Sequence, residues 1–314
     1  MGVAVVKSLT VLLPTYNGAL YLPEQIESLR KQTDADSCVL IQDDGSTDET
    51  LAFLDSLKND SLFAFGTEFG RHFGAKDNFL SMMRQVKSPY VALCDQDDVW
   101  EPDRLALGRR ALEEAEARLG PSTPLLVHSD CKVTDAEGHI IHESFFAHQG
   151  WDPEAKSLSR LLVQNNVTGC TVMMNHALCR LVADHANSRI FMHDWFIAQT
   201  AAAFGEILFI PQPLVRYRQH GNNAIGASKS GFGARILKTV RSPELARQRI
   251  ALTYDQAAVF RDCHGDDLPE EARTCVDEYL ATQSLPKLKR IRAVRCGGYT
   301  MQSRIARMGQ MLFG

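Results

Sequence analysis

Long apolar runs are missing from this sequence. The opening MGVAVVKSLTVLLPTYN is interrupted at Lys7-Ser8 and is too short for a membrane span or a signal segment, and no other segment reaches spanning length. A soluble or peripherally bound chain is expected. Paired cysteines are missing too. The eight cysteines stand alone at 38, 94, 131, 170, 179, 263, 275 and 296, with no CxxC, and Cys38, Cys94 and Cys170 sit in apolar runs as small hydrophobes. That argues against a disulfide framework and for a reducing, cytoplasmic setting. Excess positive charge is absent: the formal net charge is −4, so no nucleic-acid partner is expected. There is no internal repeat and no low-complexity segment. Finally, no GxGxxG follows the first strand-like run, and no GxxxxGK[ST] occurs anywhere. A glycine-rich phosphate cradle is excluded, and any phosphate must be held another way.

What is present is 314 residues of ordinary globular composition, 45% of them hydrophobic, enough for a large core. The first half alternates short buried-strand and helix signals. Strand-like runs are Leu9–Leu13, Val39–Ile41, Leu62–Phe65 and Tyr90–Leu93. Helical spacing follows in YLPEQIESLRKQT, in DDGSTDETLAFLDSL after its turn, in AKDNFLSMMRQVKS and in PDRLALGRRALEEAEARLG. Ser46 or Thr47 is placed to cap the second helix, with Asp48 and Glu49 in its first turn. This predicts an α/β fold with a mostly parallel, doubly wound sheet and helices on both faces. Later strands are predicted at Leu125–His128, Cys170–Met174, Ile207–Ile210 and Leu214–Tyr217, with a hairpin turning at Glu137-Gly138. From Ser242 the text is helical. A linker is expected at GNNAIGASKSGFG, 221–233. The expected division is 1–225, with halves 1–124 and 125–225, followed by a helical extension over 226–314.

In an open parallel sheet, ligands bind beyond the carboxyl ends of the strands. There the first strand gives Pro14-Thr15-Tyr16, the second gives Asp43-Asp44-Gly45-Ser46, and the Tyr90 strand gives Asp95-Gln96-Asp97-Asp98. Carboxylates this close repel, and burying one unpaired is costly. Either they are solvated or cap the following helix, or a cation meets them. Asp-x-Asp offers hard oxygen ligands to Mg²⁺ or Mn²⁺, which grip a diphosphate in turn.

The three motifs VLLPTYNGALYLPEQIESLRKQT, LIQDDGSTDETL and YVALCDQDDVWEPDRL, in this order and at these spacings, resemble family 2 glycosyltransferases of the GT-A fold. The likeness covers roughly residues 8–225. Within 125–225, VTGCTVMMNHAL and HDWFIAQTAAAFGEILFIPQPLVRYRQHGNN resemble bacterial rhamnosyltransferases of surface-polysaccharide (O-antigen) assembly. The resemblance implies an inverting, metal-dependent transfer from a nucleotide-sugar donor, dTDP- or UDP-linked, to a glycan or polyprenol-linked acceptor. It implies that Pro14, Thr15 and Tyr16 line the base and that Asp44, ahead of Asp43, bonds it. Asp97 would be the firmest metal ligand, with Asp95 reaching metal or ribose and Asp98 assisting. Asp194 of His193-Asp194-Trp195 would be the catalytic base. Its bland reading is a helix N-cap, and one residue can do both. Gly169, Arg218 and His220 would meet the donor sugar or diphosphate, with Arg216 on the same strand face. Lys76 and Asn78 either face the nucleotide or lie on a solvated helix. Trp100 is read as packing, and Trp195 as packing or a sugar platform.

The tail is the most uneven part in charge. Lys287, Lys289, Arg290, Arg292, Arg295, Arg304 and Arg307 face no acid from Ser284 onward. Its cations interleave with Leu288, Ile291, Val294, Ile305, Met308 and Leu312. It reads as an amphipathic pair broken at Gly297-Gly298, lying on the inner face of the cytoplasmic membrane or packed on the enzyme or on a second subunit. The competing functions are a sugar nucleotidyltransferase, disfavoured by the missing glycine-rich loop, a glycosidase, and a non-catalytic nucleotide-sugar or glycan-binding scaffold.

Overall fold

A computed structural model describes residues 7–220 and 243–313. The elements in chain order are β1 (Leu9–Thr15), α1 (Leu22–Arg30), β2 (Ser37–Asp43), α2 (Thr50–Ser56), β3 (Phe63–Phe65), α3 (Ala75–Gln85) and β4 (Tyr90–Leu93). They continue with β5 (Val99–Trp100), α4 (Arg104–Leu119), β6 (Leu125–Thr134), β7 (Ile140–His142), α5 (Phe145–Gln149), α6 (Leu158–Leu161), β8 (Met173–Asn175), α7 (His176–His185), α8 (His193–Phe204) and β9 (Glu206–Arg218). Four helices close the chain: α9 (Pro243–His264), α10 (Glu270–Ala281), α11 (Lys287–Cys296) and α12 (Arg304–Phe313). The linker expected at 221–233, and with it the boundary at 225, lies outside the described residues.

One nine-stranded sheet runs β3-β2-β1-β4-β8-β6-β9-β5, with β7 paired to β6. β3, β2, β1 and β4 are mutually parallel. β8 is then antiparallel to both β4 and β6, and β9 returns parallel to β6. Alternation along each strand separates two cores. Leu9, Val11 and Leu13 of β1 pack with α1 and α4, whereas Leu12 packs with α3, α7 and α8. The C-terminal helices join the second of these cores through Ile250, Tyr254, Phe260, Val276, Tyr279 and Val294. The helical extension therefore shares its core with the sheet.

Three local expectations are corrected. Helix α2 starts at Thr50, and Ser46 does not cap it: its hydroxyl accepts from the Asn17 amide and donates to Asp43. The run Cys170–Met174 splits into a single 3-10 turn, Gly169–Thr171, and strand β8. The two strands expected either side of Pro211-Gln212-Pro213 are one, β9. The ladder to β6 steps from Ser129–Ile210 to Asp130–Pro213, bulging where prolines offer no N–H. The hairpin forms as expected, with Gly138 at φ 88° and β6 antiparallel to β7.

Candidate active site

Beyond the carboxyl ends of β1, β2 and β4 lies a cleft of about 1550 Å³. Pockets for one small ligand run to roughly 1,000 Å³, so this one has room for two. Pro14, Thr15, Tyr16, Asp44, Asp95, Asp97, Gly169, Asp194 and His220 all line it. These nine were singled out from sequence, and folding brings them together.

The first loop is built by side chains of the second and third. Asn17 sits at φ 46°, in the left-handed region. Its amide donates to Ser46 Oγ at 2.9 Å, that of Gly18 to Thr50 Oγ1 at 2.8 Å, and that of Ala19 to Asp48 Oδ2 at 3.2 Å. Gln96 grips Tyr16 like a peptide partner: its Oε1 accepts from the Tyr16 amide at 2.9 Å, and its Nε2 donates to the Tyr16 carbonyl at 2.8 Å. A Cβ on Gly18 would lie 2.2 Å from that Gln96 oxygen, so a larger residue there would push the Gln96 side chain off the Tyr16 peptide. Tyr16, 44% exposed, stands 4.8 Å from the His72 ring. His72 was not singled out from sequence. It comes from a loop with no periodic signal and reaches the cleft because its Nδ1 sits 3.1 Å from the Asp44 carbonyl oxygen.

The two acidic strand ends differ. Asp43 is fully buried and serves the loop: it accepts from the amides of Gly45 and Ser46 and from the hydroxyls of Thr15 and Ser46. Asp44 turns to the cleft wall, where the Phe73 and Gly74 amides donate to its two oxygens at 2.6 and 2.8 Å. At the end of β4, burial first, then the charges of Asp97 and Asp194, push the Asp95 carboxyl up to about 7. Asp95 keeps some surface on the cleft floor yet sits deep below the protein exterior. Asp98 is wholly buried and is pushed well above the carboxylate range by burial, then by Asp97 and Asp95. Its Oδ1 accepts from the Arg218 amide at 3.0 Å.

Part of the balancing charge is internal. Arg104, only 1% exposed, stacks its guanidinium 3.4 Å over the Trp100 ring and donates to the carbonyls of Cys170 at 2.6 Å and Leu93 at 3.2 Å. Burial lowers its pKa to about 10 against the raising effect of Cys94, Cys170, Asp98 and Asp95, so it stays a cation at neutral pH. Sequence reasoning missed Arg104. The available signal was its place in the buried row Arg104, Gly108, Leu112, Ala115 of α4. Trp100 is packing, as expected.

Asp97 Oδ2 lies 2.6 Å from His220 Nε2, and the His220 ring stacks on Tyr21 at 4.9 Å. Asp97 with an imidazole against it and Asp95 two residues before it offers oxygen and nitrogen donors of the kind that Mg²⁺ or Mn²⁺ accepts. The ligand atoms of Asp95, Asp98 and Cys170 also cluster within 4.8 Å. Burial pushes the Cys170 thiol far up, however, and a protonated thiol is a poor ligand for these hard ions. Asp97 and His220, already 2.6 Å apart, are chemically better donors, and an ion held by them together with Asp95 would have to draw the three closer than they stand here.

Asp194 opens the first turn of α8. Burial pushes it up to about 6, against hydrogen bonds from the amides of Trp195 and Gly169 and from Asn165. The missing Cβ of Gly169 would make ordinary contacts with Asp194 at 3.5–3.6 Å, so glycine here meets Asp194 chiefly through its amide. The preceding His193 is buried, stacks on Phe79 at 4.4 Å, and is pushed down to about 3 by burial and then by Lys76, so it stays neutral beside Asp194. Trp195 anchors α8 by donating to the Leu161 carbonyl at 2.5 Å.

Some expectations are corrected. Arg218 does not line the cleft. It is 4% exposed and donates to the Asp97 and Ala136 carbonyls at 2.8 Å and to the Glu24 carboxylate, which places it behind the acidic loop. Arg216 points to Glu101 at 3.2 Å. Lys76 is tied to the Ser188 and Ile190 carbonyls at 2.6 and 3.0 Å rather than facing a nucleotide. Asn78 lines the cleft but spends its amide on Gln42.

Residues 10–149 match the family model described as Glycosyl transferase family 2. Among curated proteins, the chain is similar to the dTDP-rhamnosyl transferase RfbG of Shigella flexneri. The two are 26% identical over 233 residues, spanning 69% of this chain and 75% of that protein. Among solved structures it is similar to S. aureus TarS 1-349 in complex with UDP-GlcNAc (TM-score 0.56, 16% identity, 96% of this chain and 88% of that one). A second similar structure is the mannosyltransferase PcManGT from Pyrobaculum calidifontis in complex with GDP-Man and Mn²⁺ (TM-score 0.53, 16% identity, 93% and 73%). At these identities the two structures share the fold with this chain.

Proposed function

We propose that this chain is a family 2 glycosyltransferase of GT-A fold that transfers L-rhamnose from dTDP-L-rhamnose, with inversion, to a lipid-linked glycan of surface-polysaccharide assembly. The observation that carries the mechanism is the juxtaposition in one cleft of Asp194 with Asp95, Asp97 and His220. The sugar identity is supported by the named rhamnosyl transferase relative alone.

Tyr16 and His72 form the aromatic end of the cleft and suit a nucleobase, with Asp44 beside them to accept from its ring N–H. Asp97, His220 and Asp95 would hold a divalent ion, which when bound neutralises charge on the departing diphosphate. Asp194 takes the proton of the acceptor hydroxyl as that oxygen attacks the anomeric carbon from the face opposite the leaving group. One displacement of this kind inverts the centre. A carboxyl raised to about 6 is still ionised at neutral pH, and it is a stronger base than an ordinary aspartate. The neutral His193 adds no competing cation.

Transfer is tested with dTDP-L-rhamnose and UDP-linked sugars against lipid-extracted acceptor, with Mg²⁺ or Mn²⁺. Asp194→Asn is expected to lower kcat by on the order of 10²–10⁴, the range a positioned base supplies, while the melting shift given by nucleotide plus metal persists. Full activity in that variant removes Asp194 as the base. Binding without turnover by the native chain, across all donors, converts the reading to that of a binder.

A further inference from the structure

The remaining wall of the cleft comes from the C-terminal helices. Leu245 and Arg249 of α9 and Arg304 and Arg307 of α12 line it. The acids lining the cleft are Asp44, Asp95, Asp97 and Asp194, and the C-terminal wall contributes none. Among the described residues, no carboxylate pairs with Arg249, Arg304 or Arg307. A fourth cation, Arg160, is opposed first by burial and then by the charge of Arg307, with Asp152 acting the other way. Four arginines with Asp152 as the acid acting on one of them form a surface that a further anion stabilises.

The wall is held in shape. Arg307 donates through Nε and Nη2 to the carbonyls of Met301 and Gln302, each at 3.2 Å, which fixes its planar fork. The Gln302 amide donates to Gln164 at 2.9 Å, and its side chain accepts from the Asp152 amide at 2.7 Å. Gln310 brackets the same loop, accepting from Met301 and donating to Tyr299. Apolar side chains stand exposed on these same two helices: Leu245 at 44%, Met308 at 60% and Leu312 at 52%. An anionic head with an apolar chain matches both features, whereas a free sugar matches neither.

We propose that this wall is the docking site for the diphosphate of an isoprenoid-linked acceptor. Arg304 and Arg307, with Arg249, take the diphosphate. The isoprenoid lies over Leu245, Met308 and Leu312, and the attached sugar reaches the Asp194 end of the same cleft. The inference rests on glycosyl transfer at Asp194.

The test uses the full chain and farnesyl diphosphate as probe, in EDTA, so that no metal holds the probe at Asp95 and Asp97. Calorimetric titration is expected to show binding that Arg304→Ala/Arg307→Ala weakens at least about tenfold, the loss of two charge-assisted contacts. Arg304→Ala alone, at an exposed residue that makes no hydrogen bond among the described residues, should melt with the native chain, keep its nucleotide-plus-Mn²⁺ shift and still weaken binding several-fold, which separates loss of the anion contact from loss of the two Arg307 hydrogen bonds. Unchanged affinity in the variant overturns the proposal. Inorganic diphosphate binding as tightly as the farnesyl ester overturns its lipid part. Loss of phosphatidylglycerol-vesicle binding in the variant, with farnesyl diphosphate unaffected, also overturns it, in favour of a membrane-surface patch. A native chain that binds farnesyl diphosphate but no nucleotide sinks the glycosyl-transfer reading instead, and the two failures are distinct.

Discussion

Two strands of this sheet end in adjacent carboxylates at the same cleft. At the end of β2, Asp43 collects two backbone amides and two hydroxyls, and its neighbour Asp44 collects two further amides. At the end of β4, Asp98 is buried and Asp95 lies on the cleft floor, both with few donors, and Asp97 raises the cost of ionising each of them. Residue type and place in the fold are alike, yet the outcomes are opposite. What differs is whether the loop after the strand turns its N–H groups back on the carboxylate. Where it does, the acid stabilises the loop. Where it does not, the acids are costly to ionise, and a cation beside them would lower that cost.

Substitution at each end separates the two cases. Asp97→Asn is expected to reduce transfer by on the order of 10²–10³, the scale of losing one charge-stabilising group, with metal-dependent nucleotide binding weakened. The metal-free protein should melt at the same or a higher temperature, since one of three mutually repelling carboxylates has gone. Asp43→Ala should do the reverse. It leaves two amides and two hydroxyls without their acceptor, and about 3 kcal/mol of stability should be lost in denaturant titration. A stable Asp43→Ala protein together with an unstable Asp97→Asn protein breaks the comparison.

A smaller effect tests the link between the two ends. Gln96 joins the β4 loop to the Tyr16 peptide through paired hydrogen bonds. Gln96→Ala should release Tyr16 and cost about 1 kcal/mol of donor binding. That amounts to several-fold in the donor KM with kcat nearly unchanged. A fall in kcat alone contradicts a role confined to the nucleobase end.

Much of this was legible before folding. Each strand that ends in a functional loop is a short, continuous apolar run, and the polar residues that follow it must leave the core, so β1, β2 and β4 and their acids could be placed. Asp44 could be ranked over Asp43, and His220 could be grouped with the acids. What escaped depends on contacts distant in sequence. Arg104 reads as one more charge at the start of a charge-rich helix until α4 is laid against the sheet and its side chain meets Trp100 and the Cys170 carbonyl. Arg218 satisfied the alternation rule for a phosphate contact, yet β9 passes behind the β4 loop and spends the guanidinium on Asp97 and Glu24. The basic tail showed its charge and amphipathic spacing, but not that Arg304 and Arg307 line the same cleft as Asp194.

The last test concerns pH, and it separates Asp194 from the acids at the end of β4. Burial sets the Asp194 carboxyl at about 6, above its ordinary range. The base form is the ionised one, so activity should fall as pH drops through about 6, halving there relative to pH 8 and reaching roughly a tenth at pH 5. With metal saturating, a cation beside Asp95 holds that group ionised, so the limb should follow a single proton. The stability dependence has its own sign. A carboxyl raised on folding favours the native state most when protonated, so this contribution is complete below the ordinary aspartate range and is lost as pH rises through about 6. Asp194→Asn should remove that slope and raise the melting temperature at pH 7 while lowering kcat as stated above. An acid limb near pH 4, or a melting temperature lowered at pH 7 by Asp194→Asn, would mean that the loop around Gly169 and Asn165 satisfies this carboxylate as fully as the β2 loop satisfies Asp43. The contrast between served and unserved acids would then stop at the end of β4.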